Sequence, residues 1–391
     1  MFMDKSTPAV VGPVALLKLH EPLGFSRAKR NRYMTGVQKS NRSMHSRKIQ
    51  LLLCAFMLFV RAPAVGQDAT AIVFVPAPPG FVDVLGSELL VHNLPRPEYA
   101  GVLPFCTGSS ASFLLQHYAC RVDGVSACAS IGEARQISAL SAVAWAEKSA
   151  AAKPDSVPTS YRTIRAGGAG VNILLNSARA FQFKPNSCYA LGQMRSRFAS
   201  DADYQRRSRA LELLFEQSKQ GAPCASCLIQ AVGNDFGVML SNPGLARALQ
   251  RVSFPEFVYA VLFPDCATTI VGYPPPDIEI FPKVDQHDAL PADLLPVVLS
   301  HLRMDRPVQL ERICLVKNPN GACTSSGAHA VVIVGAKRTC RGELCVDLVK
   351  IQNFWSEKWQ SDFDGGWVRA DALMKAVIDL PMQPGTLSWI N

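Results

Sequence analysis

The chain has 391 residues, long enough to bury a substantial core and, on length alone, to form two to three domain-sized units. Its formal charge of +9 sits at one end: residues 1–48 hold ten Lys/Arg against Asp4 and Glu21, which leaves +1 for the remaining 343 residues. A nucleic-acid-binding face needs its basic residues on the folded part of the chain, so nucleic acid is excluded as the expected partner.

Residues 1–43 match neither a targeting pattern nor a domain and read as an extension that need not be translated, with Met44 as the alternative start. From there "MHSRK" supplies a basic flank, "IQLLLCAFMLFV" (49–60) a short apolar run, and Ala62-Pro63-Ala64 a small-x-small site. This pattern predicts a signal peptide over 44–66, with the mature chain starting near Val65 or Gln67. The run is too short for a stable membrane span, which needs about 20 apolar residues. Leu53 stands where a lipidated signal wants a small residue, so Cys54 is read as part of the apolar run. Residues 67–391 are then a secreted or periplasmic protein in which disulfides are permitted. Without Cys54, eleven of the twelve cysteines remain. Eleven is odd, so one thiol stays free or pairs outside the chain.

Residues 67–105, with "VPAPPG" and "NLPRPEYAG", predict extended segments and turns. "TGSSASFLLQHYACR" then spaces Ala111, Leu114, Leu115 and Tyr118 as a helix, with Ser and Thr near its start as capping candidates. A polar stretch follows. "GGAGVNILLNSARAF" reads as a Gly-rich turn feeding a helix, and residues 200–262 as mostly helical. Beyond "YPPPD" the character shifts. "LLPVVLSHLRMD" predicts a helix, whereas "PVQLERICLV", "HAVVIVGAK" and "CVDLVKIQNFW" predict strands rich in β-branched residues. Helices in one half and strands in the other predict an α+β fold with two subdomains.

Chemistry-bearing residues fall in a definite order: Cys106 at a helix start, His329 on an apolar strand, Asn353 on the next strand. A thiol attacks carbonyl carbon as its thiolate, which a helix N-terminus and an imidazolium both stabilise. An amide oxygen accepting an imidazole N–H fixes the tautomer and orientation of the base. Indole rings beside that amide, here Trp355 and Trp359, keep water from the hydrogen bond.

In these segments the chain resembles the papain-like cysteine proteases. "CTGSSASFLLQ" is similar to the family's nucleophile helix, "SGAHAVVIVGAK" to its histidine strand, and "KIQNFWSEKW…GGWV" to its asparagine segment. "GGAGVNILLNSARAFQFKPNSCY" is similar to the stretch whose Gly-Gly pair lines the substrate cleft, and "MDRPVQLERI" to the strand before the histidine. The resemblance covers residues 95–380 in pieces. It implies Cys106 as nucleophile, His329 as general acid/base, Asn353 as the residue orienting it, and Gly167, Gly168 and Trp355 at the substrate cleft. It implies a helical left subdomain, a β-rich right subdomain, a peptide or protein substrate, peptide-bond hydrolysis through a thioester, and no cofactor or metal.

Several positions depart from the family pattern. "LPFCT" replaces the family's Cys-Gly-Ser-Cys-Trp, with Leu103 at the structural cysteine. Ala100 stands where the family has the glutamine of its oxyanion hole, although Gly101 matches the glycine after it. The 223 residues from Cys106 to His329 exceed the family's spacing of about 130–150, which implies a helical insertion near 195–270. "TCRGELC" predicts a lengthened hairpin between the histidine and asparagine strands.

Other readings stay open at this point. A rival alignment places Ser109 or Ser110 at the active position, which describes an inactive homologue. Ala100 favours a binding module that uses the same scaffold to hold a peptide or partner, and a further option is another thiol acyl-transfer enzyme. "CASC" (224–227) has redox or zinc spacing but lacks a second pair, so structural disulfides, including 314–323 and 340–345, are expected. "SDFDGG" lacks the remaining ligands of a calcium loop and reads as a turn. Gly167-Gly168 lacks the lysine and spacing of a phosphate-binding loop.

Overall fold

The computed structural model describes residues 73–391 apart from 152–169, 180, 221–223, 252, 265, 271–272, 284–285, 287–289, 317–322, 324–327 and 378–384. The expected extension (1–43) and signal peptide (44–66) lie outside the described residues, as do Gly167 and Gly168. The α+β expectation is met at the level of mixed helices and an antiparallel sheet.

Two short strands come first, β1 (Val82–Asp83) and β2 (Leu89–Leu90), followed by helix α1 (Cys106–Val122). The helical block comprises α2 (Ala139–Ala151), α3 (Gly170–Ser177), α4 (Leu191–Arg195), α5 (Asp201–Lys219), α6 (Ala225–Phe236), α7 (Asn242–Leu249) and α8 (Phe254–Leu262). Strand β3 (Ile278–Phe281), helix α9 (Pro291–Leu302), β4 (Val308–Cys314), β5 (Ala328–Arg341) and β6 (Leu344–Gln352) follow. The chain ends with α10 (Glu357–Asp362), β7 (Trp367–Arg369), α11 (Ala370–Lys375) and β8 (Leu387–Ile390).

Among the described residues the strands form one sheet in the order β3-β8-β4-β5-β6-β7, with β1 and β2 joined to β5 and every pairing antiparallel. Strand β5 is the spine. Its first half pairs with β4, its second half with β2 and β1 along the same edge, and its other edge with β6. Gly335 sits where β2 crosses: a Cβ there would lie 2.9 Å from the Leu89 carbonyl oxygen, so only glycine lets the strands close.

Side chains alternate across β5 with period two. Val332 and Val334 join an apolar cluster with the helical block, while Val331 and Ile333 join a second cluster with α9 and α11. The sheet thus has a core on each face. Leu114 and Leu115 of α1 are fully buried in the first, and truncating such a leucine to alanine costs about 2–5 kcal/mol.

Helix α1 is buried from Gly108 to Cys120, so it is central rather than amphipathic. Gly108, Ser109, Ser110 and Ser112 are poor helix formers, but their small side chains let the helix approach β4, β5 and β8 closely. The expected Ser/Thr cap is not formed. Phe105 is the N-cap without a side-chain bond, and its carbonyl accepts from the Ser109 N–H at 2.8 Å, so the helix begins at Cys106 itself.

The expected helices near 195–270 are α5–α8. Ser200, Ser241 and Ser253 each accept a first-turn backbone N–H, and Ser253 with Glu256 forms a capping box. Helix α2 lies in the stretch read as polar. The N–H of Ala139, at its start, donates to the Glu98 carboxylate at 2.9 Å, a cap from 41 residues upstream that local pattern reading does not detect.

Candidate functional site

The segment before α1 is pinned from both sides. Glu98 accepts from the Ala139 N–H and, in a short hydrogen bond, from the Leu191 N–H, so one buried carboxylate caps α2 and α4 together. Burial, outweighing those bonds, pushes the Glu98 carboxyl up to about 7. Two residues on, the Ala100 N–H donates to the Phe354 carbonyl at 2.7 Å, and the Phe354 ring meets Phe113 of α1 edge-on at 5.7 Å. Gly101 follows at φ +63°, and a Cβ there would lie 2.5 Å from the Arg195 Cδ. These contacts bring the stretch leading to Cys106 against the residue next to Asn353.

Cys106 is the free thiol among the described residues. The other ten described cysteines pair at disulfide distance as 120–128, 188–266, 224–227, 314–323 and 340–345. The odd count read from sequence therefore resolves onto Cys106, and the expected 314–323 and 340–345 pairs are among the five. Ser109 and Ser110, the rival positions, are buried, and the Ser110 hydroxyl donates to the Cys106 carbonyl at 2.5 Å.

As a residue Cys106 keeps partial exposure, but its sulfur lies deep enough that burial pushes the thiol up to about 11. Hydrogen bonds from the backbone at Ala330 and Thr107 pull the other way, and the Glu311 charge adds to the rise. The Ala330 contact places the sulfur beside the residue that follows His329. No hydrogen bond joins the Cys106 sulfur to the His329 ring among the described residues.

His329 is the second residue of β5, opposite Ile313 of β4, and is buried. Its Nε2–H donates to the Asn353 Oδ1 at 2.9 Å, across 24 residues of sequence. The amide oxygen only accepts, so this bond leaves the proton on Nε2 and the lone pair on Nδ1. Trp355 stacks on the imidazole at 4.7 Å between ring centroids, and Phe74 meets both rings edge-on at 6.2 and 5.7 Å. Burial in this aromatic box holds His329 down to about 4, against the Asn353 bond that favours protonation.

Asn353 is itself fixed by Gln360. The Gln360 Oε1 accepts from the Asn353 N–H at 3.2 Å, and its Nε2 donates to the Ile351 and Gly365 carbonyls at 2.6 and 2.8 Å. Ser356 caps the intervening α10 through the Trp359 N–H. The Gln352 side chain donates to the Asn353 carbonyl at 3.0 Å.

Glu311 is a buried carboxylate on β4 that accepts from Gln309 Nε2 at 2.6 Å and from the Val171 N–H at 3.1 Å. Val171 lies in the first turn of α3, just after the Gly-rich segment, so Glu311 links that helix start to the neighbourhood of Cys106. Sequence reasoning did not single out Glu311, Gln360 or Phe74. Glu311 carried a signal, a carboxylate inside an apolar strand; Gln360 and Phe74 carried none.

Among the described residues no group of three His, Cys, Asp or Glu side chains is placed to hold a metal ion, and no helix is long and apolar enough to cross a membrane. No protein-family model and no curated protein matches the chain.

Proposed function

We propose that the protein is an exported cysteine endopeptidase of papain-like architecture, with Cys106 as nucleophile, His329 as general base and acid, and Asn353 as the group orienting His329. The observation that carries this reading is the 2.9 Å His329–Asn353 bond, made from the strand against which the helix that starts at the free Cys106 is packed. The helical block bearing Cys106 and the sheet bearing His329 and Asn353 would be the two subdomains, with Gly167, Gly168 and Trp355 lining the cleft between them. Five cysteine pairs at disulfide distance are compatible with an oxidising, secreted or periplasmic setting.

In the proposed reaction Cys106 loses its proton to the His329 Nδ1 as the sulfur attacks the scissile carbonyl carbon. The tetrahedral intermediate collapses to a thioester, and His329 gives the proton to the departing amine. Water, deprotonated by His329, then attacks the thioester and releases the acid and the Cys106 thiol. The Cys106 N–H, at the first helical residue and without an intrahelical acceptor, is one oxyanion donor. Ala100 contributes none from its side chain, and a missing oxyanion donor lowers kcat about 10²–10³-fold.

A second reading, a peptide-binding module without turnover, is favoured by the high thiol and low imidazole values, both of which describe a neutral resting pair. Labelling the purified protein with an epoxide that alkylates papain-type thiols, followed by peptide mass mapping, separates the two. The peptidase reading expects an adduct on Cys106 that His329→Ala abolishes with the fold intact. An inert Cys106 in the folded wild type would sink it and leave the binding module.

A further inference from the structure

The "CASC" pair lies far along the chain from the proposed catalytic segments and combines three features that none of the other four described cysteine pairs has together. It spans only three residues and joins no two elements, since Cys224 is the N-cap of α6 and Cys227 lies in its first turn. It is accessible: Cys227 is exposed and Cys224 half-buried, whereas Cys120 and Cys128 are buried. Its inner sulfur is also solvated by the protein. Cys224 Sγ accepts from the Cys227 N–H at 3.1 Å and lies 3.4 Å from the Ser226 hydroxyl, and the first turn of α6 holds no acidic residue.

We propose that Cys224–Cys227 is a reversible thiol–disulfide exchange site that accepts electrons from an external thiol. An incoming thiolate attacks the exposed Cys227 sulfur, forming a mixed disulfide and breaking the Cys224–Cys227 bond, whose electron pair leaves on Cys224. The helix N-terminus and the Cys227 N–H stabilise that leaving thiolate, and a better-stabilised leaving group departs faster. A second external thiolate attacks the donor sulfur of the mixed disulfide, frees Cys227 as a thiolate and carries away the donor as its disulfide. Both protein thiolates then take up the protons the donors released. Two electrons enter per turn, and because the bridge ties no elements together the surrounding helices keep their packing.

Cys340–Cys345 is the internal control. It is also accessible, with Cys345 exposed, but it sits across the β5–β6 hairpin with no helix N-terminus behind either sulfur. Full-length protein would be equilibrated with graded reduced glutathione, alkylated, and mapped by peptide mass, with near-UV circular dichroism recorded in parallel. The expected result is that Cys224 and Cys227 become labelled at glutathione concentrations at least about tenfold below those that open Cys340–Cys345, with the near-UV spectrum unchanged. In the Cys227→Ala variant, Cys224 should alkylate at pH 7 about threefold faster than an ordinary thiol, because the larger thiolate fraction at a helix N-terminus is partly offset by the lower nucleophilicity of a more acidic thiol. The proposal is overturned if the pair opens no earlier than Cys340–Cys345, if it opens only as the near-UV signal is lost, or if Cys224 in the variant reacts as an ordinary thiol.

Discussion

An imidazole whose Nε2–H is held by the Asn353 oxygen can use only its Nδ1, so its chemistry at the proposed site hangs on one hydrogen bond. Asn353→Ala frees the tautomer and should lower the rate of Cys106 alkylation by the epoxide about five- to tenfold, the equivalent of one hydrogen bond of about 1 kcal/mol. An undiminished rate would show that Asn353 does not orient the base. The pH profile follows from the two shifted groups. His329, held down to about 4, remains a competent base until the pH falls through that value, and Cys106, pushed up to about 11, forms little thiolate below it. The alkylation rate should therefore stay level from about pH 5 to 9 and fall with an apparent pKa near 4. An acid limb at 6.5 or above would mean that the imidazole is not buried when it acts. His329, Asn353 and Cys106 could be read from sequence because each is a polar or reactive residue at a position its neighbours mark as apolar or as a helix start. Gln360 and Phe74 could not, because what they touch is set by how the chain turns after β6 and by which N-terminal segment packs there.

Between β6 and β7 the turn around α10 converts one strand end into a fixed asparagine. Gly366 has φ +98°, and a Cβ added there would lie 2.2 Å from the Ile351 carbonyl oxygen that Gln360 also engages. Gly366→Ala should destabilise the protein by about 1–3 kcal/mol through backbone strain alone and weaken Cys106 labelling with it, read as a lower Tm and a slower adduct. A variant with unchanged Tm and labelling would show that the turn relaxes freely. The strands were legible because β-branched runs and alternation survive in β4, β5 and β6, and the "TCRGELC" hairpin because its ends pair at Cys340 and Cys345. Helix α2 was not, because its capping group is Glu98, far upstream. The start of α1 at Cys106 was legible, but its Ser/Thr cap is absent: Phe105 is the N-cap without a side-chain bond, and the Ser-rich first turns are buried instead.

Across the whole molecule, three buried ionisable groups make stability depend on pH in opposing directions. Burial and the Arg121 charge hold His117 down to about 4, and burial does the same to His329. Between pH 6.5 and 4 the unfolded chain binds protons at these two positions that the folded chain does not, so each removes stability as pH falls. Glu98, raised to about 7, works the other way: between 4.5 and 7 the folded state holds a proton that the unfolded state has released. Its contribution is full below 4.5 and is lost as pH rises to 7. Each group changes stability by about 1.4 kcal/mol per pH unit inside its window. From pH 6.5 to 4.5 the two histidines therefore outweigh Glu98 by one proton, and these groups together reduce stability as the solution is acidified. Replacing Glu98 by Gln removes the opposing contribution. The stability difference between wild type and Glu98→Gln, from denaturant midpoints at pH 4.5, 5.5, 6.5 and 7, should shift in favour of wild type by about 1.4 kcal/mol for each unit the pH is lowered. His117→Gln should give the opposite slope against wild type between pH 6.5 and 4.5. A difference independent of pH for Glu98→Gln would mean that the carboxylate capping α2 and α4 is already ionised throughout, its two backbone donors outweighing its burial.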